Sequence, residues 1–277
     1  MSDAQSKVVQ HYAKSGLLGR LEAALRADGV DPAHPTIEAL APYDHFHGRG
    51  LEATEDMAAL VTARPTYHLL DVGSGLGGPA RWFAKRFGWR VTGIDLTPEF
   101  CEVAEHLTRL LGLESRVRFL VGNALAMPLD DGTFEGAYSM FVSMNIADKA
   151  QLYRELHRVL KSGGWLVLSE IACGEVGDVT YPVPWASTAA ESFLSTADVT
   201  RKELQSAGFE VEQIKNDLQR ALDFGARSQA MLARGEKPPY RANALIHGDV
   251  AAATLANVAR AYKDGSLMPV EVIARKR

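Results

Sequence analysis

Two carboxylates and a run of glycines are the residues of this chain best suited to chemistry. In His68-Leu-Leu-Asp71-Val-Gly73-Ser74-Gly75-Leu-Gly77-Gly78-Pro79 an apolar run leads into a glycine-rich turn. The apolar run reads as a buried strand. Glycine in the turn permits positive φ and lets a ligand approach without a Cβ in the way. Pro79 suits the opening of a helix, where its missing N–H would be unpaired anyway, and the first N–H groups of that helix then face the ligand. Gly73, Gly75 and Gly78 fit the dinucleotide spacing G-x-G-x-x-G, and Asp95 follows at about the expected distance. Asp71, two residues before the first glycine, points elsewhere. A carboxylate there would be repelled by a pyrophosphate and attracted by an ammonium group.

The flanking pattern supplies a frame that would hold these groups at strand ends. Helix Pro79 to Phe87 stops at Gly88, a suitable left-handed cap. Arg90–Ile94, Val117–Val121, Gly136–Phe141 and Trp165–Leu168 read as further strands, and Phe209–Ile214 and Met268–Ala274 as the last two. Thr97 with Pro98 opens a helix closed by Gly112. Asp148 with Gln151, and Thr200 with Glu203, resemble capping boxes. Strands alternating with helices imply right-handed crossovers and a doubly wound α/β sheet. Residues 1–65 read as a helical N-terminal cap, with apolar helical spacing from Ser6 to Arg26 and a helix from about Ala53 to Thr62. Residues 66–277 read as the ligand-binding domain, with a helical insertion at 218–262 interrupted by Gly235-Glu-Lys-Pro-Pro239.

Bulk composition narrows the class. A hydrophobic content of 47% over 277 residues is ample for a core. A net charge of −4 without blocks of like charge argues against nucleic acid or an anionic membrane as partner. The polar Met-Ser-Asp-Ala-Gln-Ser-Lys start does not read as a secretory signal. Trp165 to Cys173 is too short to span a bilayer and contains Glu170. Cys101 and Cys173 are too few for a disulfide frame and read as packing residues, so a soluble, cytoplasmic protein is expected.

Asp-Val-Gly-Ser-Gly-Leu-Gly-Gly resembles the first motif of class I S-adenosylmethionine-dependent methyltransferases, and the resemblance covers roughly residues 65–215 plus the last strand. Asp44-His-Phe-His-Gly-Arg-Gly50, Val142-Ser-Met-Asn-Ile-Ala-Asp-Lys149 and Pro182-Val-Pro-Trp-Ala186 are similar to the glycine/sarcosine/dimethylglycine N-methyltransferase-related branch. The resemblance implies a seven-stranded sheet of order 3-2-1-4-5-7-6 with an antiparallel last strand, helical additions lidding the site, and a small-molecule methyl acceptor, with an amine favoured. It further implies that Asp71, Gly73, Ser74, Gly75 and Gly77 bind S-adenosylmethionine, Asp71 beside its ammonium group. Asp95 would take the ribose hydroxyls in a bidentate contact, with a helix-entry cap as its competing role. Asn123 and the Ala124 N–H would read the adenine edge, a simple turn role competing for Asn123; Leu96 would pack on the adenine face, and Met140 would close the fourth strand end.

Methyl transfer from a sulfonium needs no metal; the protein positions, excludes water and sets the electrostatics. His45, His47 and Phe141 are the candidate catalytic residues, the histidines as titratable groups within reach of an acceptor. Hydrogen bonding within their loop is the competing role for both. Tyr12 and Trp185, with Phe141, could line a pocket that favours a sulfonium or alkylated ammonium through π faces, core packing being their competing role; Ser143 and Asn145 could position substrate or the methionine tail, or Asn145 serve the turn before Asp148. Relatives often carry Asp at position 123 and Gln-His at 140–141; Met140-Phe141 here removes polar contacts near the methyl group. O- or C-methylation, a methyltransferase fold without transfer activity, and a nicotinamide-dependent oxidoreductase stay as alternatives. The helical additions would either lid the site or form a homodimer interface.

Overall fold

The computed structural model describes residues 3–12, 15–61 and 66–277. The expected domain boundary at residue 65 and helix end at Thr62 lie outside the described residues. Four helices come first: α1 (Asp3–Tyr12), α2 (Leu17–Ala27), α3 (Ile37–Asp44) and α4 (Leu51–Ala59). The sheet then alternates with helices: β1 (His68–Val72), α5 (Gly78–Phe87), β2 (Arg90–Asp95), α6 (Pro98–Leu110), β3 (Val117–Val121), β4 (Phe134–Met140), α7 (Lys149–Val159) and β5 (Leu160–Cys173). The chain continues through α8 (Ala197–Ser206), β6 (Phe209–Asn216), α9 (Leu218–Ala233), α10 (Ala242–His247), α11 (Ala251–Asp264) and β7 (Leu267–Lys276).

The seven strands form one sheet of order β3-β2-β1-β4-β5-β7-β6. Strands β1 to β5 pair parallel, and β7 inserts antiparallel between β5 and β6. Successive side chains of a strand point to opposite faces, and both faces here are covered by helices, as parallel sheets require. Leu69 joins Phe83, Trp89, Ala104 and Tyr138 on one face, while Leu70 joins Leu152, Leu156 and Leu204 on the other. A third apolar cluster sets α2 and α3 on α6 and α10, through Leu21, Leu25, Leu40, Phe100 and Leu245, with Leu76 of the glycine loop among them. The early helices thus sit against the carboxyl ends of the strands.

Local departures from the sequence reading have local causes. The long helical pattern from Ser6 to Arg26 is two helices, because Gly16 takes φ 82 and opens α2. Helix α3 begins where Thr36 accepts a hydrogen bond from Ala39 N, despite Pro42 inside it. The expected Thr200/Glu203 box is not the start of α8: Thr196 is its cap, accepting from Val199 N, and Thr200 is buried one turn in. Pro79 takes the second helical position rather than the first. Lys161-Ser-Gly-Gly164 does not only end a helix but runs on as the start of β5, with a register shift against β4 between Phe134 and Gly136. Among the described residues no helix is long and apolar enough to cross a membrane.

Candidate functional site

The strand ends carry the chemistry. Gly73 N and Ser74 N both donate to Ile94 O (2.8 and 3.2 Å), strapping the glycine loop to the end of β2. At Gly75 (φ 53) an added Cβ would meet nothing within 4 Å, so this backbone borders open space. At Gly73 (φ 72) a Cβ would come within 2.3 Å of Val142, so glycine is required there for packing against the loop after β4. Gly77 serves the fold instead: it caps α5, and a Cβ would lie 2.3 Å from Phe119.

Asp71 is 3% exposed, and its Oδ2 has no hydrogen-bond partner among the described residues; Ser74 Oγ has none either. Burial pushes the Asp71 carboxyl up to about 7. A buried carboxylate oxygen without a partner is costly unless a cation meets it, so the site fits the ammonium of an amino-acid tail. Asp95 accepts from Gly75 N through Oδ2 and from Thr97 N through Oδ1, both at 2.8 Å. It therefore ties the loop to the start of α6 and borders the cavity; burial raises its pKa. Asn123 Oδ1 accepts from Leu125 N at 2.9 Å, which fixes the turn after β3.

These residues line a cavity of about 300 Å³, to which Leu96, Ala124, Met140 and Asn145 also contribute. A second cavity of about 260 Å³ adjoins it, walled by Met144, Trp185, Phe224, Tyr240 and Tyr262 among others. Four residues line both: Tyr12, Phe46, His47 and Phe141. They form an aromatic neck. The His47 and Phe141 rings stack at 6.2 Å and 19°, and Tyr12 meets Phe46 edge-on at 5.9 Å. Tyr12 also donates to Asn145 Oδ1 (3.2 Å), fixing α1 to the loop after β4. Phe141 holds φ 60, a left-handed conformation costing about 1–3 kcal/mol for a residue other than glycine, which functional sites retain when packing enforces it. Its N–H donates to Ser169 O at 2.7 Å, and its ring fills the space beside Gly48.

The two candidate histidines part company. His47 sits at the neck, with Nδ1 3.3 Å from Gly48 O and Nε2 3.3 Å from Thr54 Oγ1. Burial, followed by repulsion from His45, drives its pKa down to about 3, so the imidazole is neutral. With one nitrogen donating and the other accepting, it is a poor proton acceptor for a substrate. His45 lies fully buried outside the lining of both cavities, Nδ1 2.8 Å from Asp44 Oδ1. Asp44 Oδ2 in turn accepts from Arg81 Nη2 at 2.8 Å, and a Cβ on Gly78 would lie 2.6 Å from both Asp44 and His45. This buried cluster clamps the neck-bearing segment onto α5. Ser143 is likewise buried outside the lining of both cavities, its backbone N–H donating to Glu170 Oε2 at 3.1 Å. Trp185 walls the second cavity and donates from Nε1 to Ser192 Oγ (2.9 Å). Phe46 and Arg49, inside the Asp44–Gly50 stretch, and the inner face of α9 were not singled out from the sequence. The α9 face has a visible signal: positions 217, 221, 224, 225, 228 and 232, which follow helical spacing, all line the second cavity.

Residues 70–168 match the methyltransferase domain family. The chain is 34% identical over 204 residues to the methyltransferase GfsG of Streptomyces halstedii, covering 71% of this chain and 68% of that protein. It is 40% identical over 116 residues to a 24-methylenesterol C-methyltransferase of Oryza sativa subsp. japonica; that match covers 42% of this chain but only 32% of the rice enzyme. In fold it resembles a geranyl diphosphate methyltransferase solved with geranyl diphosphate and sinefungin, at a TM-score of 0.74 and 19% identity over 100% of both chains. With the dinucleotide alternative thereby set aside, the glycine loop, the buried Asp71 and these relatives lead to one assignment: the chain belongs to the class I S-adenosylmethionine-dependent methyltransferases.

Proposed function

We propose that this chain transfers a methyl group from S-adenosylmethionine to an amine nitrogen of a largely apolar small molecule held in the second cavity. The observation that carries this reading is the aromatic neck at which the two cavities meet. When bound, S-adenosylmethionine supplies an electrophilic methyl group on a sulfonium. Asp71 meets the ammonium of its tail, Asp95 the ribose hydroxyls, and Leu96 with Asn123 and Ala124 the adenine. Tyr12, Phe46 and Phe141 turn π faces toward the positive sulfur, each contributing about 0.5–2 kcal/mol, and neutral His47 adds no opposing charge. Helices α1–α4 and α9–α11 act as caps that keep water from the neck.

The acceptor cavity sets two requirements. Its walls are mostly apolar, so an acceptor gains about 0.8 kcal/mol per buried methylene, which favours a molecule larger than glycine-type amines. Burial also disfavours the ammonium form, so an amine enters neutral and needs no base at the neck, in keeping with a His47 whose two nitrogens are already engaged.

Incubation with methyl-labelled S-adenosylmethionine and matched panels of apolar amines, phenols and alkenes tests this. Label in an amine product is expected. Label confined to phenols or alkenes would overturn the nitrogen assignment, and label only in glycine-sized amines would overturn the apolar acceptor.

A further inference from the structure

Glu170 of β5 lines neither cavity, yet its carboxyl group is buried, the residue being only 4% exposed. A buried charge must be held by hydrogen bonds or by an opposite charge. Ser143 N donates to both of its oxygens, at 3.1 and 3.3 Å, and the Ser143 hydroxyl and Val142 N–H also favour its charged form by hydrogen bonding. Lys149 supplies the opposite charge. That lysine is itself buried, and its ammonium donates to Ile146 O at 2.9 Å and to Phe193 O. The residue before Glu170 takes the adjacent N–H, since Phe141 N donates to Ser169 O. Three consecutive N–H groups, those of Phe141, Val142 and Ser143, are thus bound by two consecutive residues of β5.

The backbone explains the convergence. Phe141 is left-handed (φ 60) and Val142 right-handed (φ −116, ψ −41). Successive residues of opposite hand turn their N–H groups to one side and form an anion-binding concavity. Here the anion is a side chain of the protein itself. A left-handed phenylalanine persists only where its surroundings enforce it, and the paired N–H groups tie it to β5. The turn so held serves both cavities: Phe141, Val142 and Asn145 line the cofactor side, Phe141 and Met144 the acceptor side. Asn145 also accepts from the Tyr12 hydroxyl. Resting on the reading of the neck as a seat for the sulfonium, we propose that Glu170 is a positioning residue for methyl transfer. Acting through the backbone of Val142 and Ser143, it fixes the Phe141 ring at the neck, where the ring favours the positive sulfur, while Glu170 itself touches neither cofactor nor acceptor.

Calorimetric binding of S-adenosylmethionine and of S-adenosylhomocysteine tests this without an acceptor, because the two differ only in the methyl group and charge on sulfur. Phe141→Leu should weaken S-adenosylmethionine about two- to tenfold relative to S-adenosylhomocysteine. Glu170→Gln keeps the shape but removes the charge and replaces one acceptor oxygen by an NH2 donor. It should lower the ratio of the two affinities by a similar factor, and the double variant should fall no further than Phe141→Leu alone. Glu170→Asp keeps the charge one methylene short and should lose less; it gives the reading if thermal melting shows the Gln variant unfolded. A role in stability alone would lower the Tm and leave the ratio intact. An intact ratio in the Glu170 variants, or additive losses in the double variant, would overturn the positioning role while the sulfonium seat stands. A ratio insensitive to Phe141→Leu would remove the sulfonium seat and the positioning role with it.

Discussion

The two cavities are built by different means. The cofactor side gathers groups from consecutive strand ends: the loop after β1, Asp95 at the end of β2, Asn123 after β3 and Met140 at the end of β4. Sheet register sets their positions, and backbone hydrogen bonds hold the loop and Asp95 in place. The acceptor side is assembled from segments far apart in sequence, the loop before α4, Trp185, α9 and α11, whose contribution is mostly shape and apolar surface. The difference separates a part that must suit one unchanging ligand from a part free to vary. Only the neck belongs to both, and the buried clamp behind it holds the segment that carries it.

That division can be broken or sharpened by substitution. The largest effect is expected at Arg81→Met. It leaves Asp44 buried without its cation and should cost about 3–5 kcal/mol of stability by denaturant titration, disturbing both cavities because the clamp holds the segment of the neck they share. Next, Asp71→Asn should weaken cofactor binding by about 2–5 kcal/mol in calorimetry while acceptor affinity holds; an equal loss on both sides would dissolve the distinction.

The pH dependence follows from Asp71, whose carboxyl sits at about 7 in the free protein because burial opposes its charge. An ammonium ligand needs the carboxylate, so cofactor affinity should fall by up to tenfold per unit below pH 7 and hold above it until the ligand's own α-ammonium, at about 8, loses its proton. The free protein behaves oppositely. Asp71 and Glu170, both raised to about 7, take up protons on folding between roughly pH 4 and 7, so unliganded stability should decline as pH rises through that window. A flat profile for both measurements would remove the buried acid from the cofactor account. The smallest effect is expected at Ala221→Phe, which fills the α9 wall. Acceptor KM should rise by about tenfold, roughly 1.4 kcal/mol, with cofactor affinity unchanged.

The same contrast governs what the sequence makes legible. Glycine spacing, an acid before the turn and an acid at the next strand end are local signals, and strand order with its antiparallel seventh strand follows from the family pattern they evoke. The acceptor wall has no such shorthand. Trp185 is recognisable only through a resemblance, and the α9 stripe reads as ordinary core spacing until a cavity is seen beside it. His45 and His47 stand two residues apart on an irregular segment, so no periodicity tells which ring faces inward. The Thr200/Glu203 pair has capping-box spacing, yet Thr196 captures the helix start because its backbone is extended there (φ −73, ψ 159) and its side chain reaches Val199 N.

One consequence of the neck remains. An imidazole that stays uncharged throughout the physiological range contributes no ionisation of its own to turnover. With cofactor saturating, the velocity of a nitrogen-directed reaction would therefore trace the basicity of whichever amine is offered, climbing with alkalinity for strongly basic acceptors and levelling early for weakly basic ones. The protein would act as a spectator to that equilibrium, and a series of acceptors graded in basicity would each display its own curve.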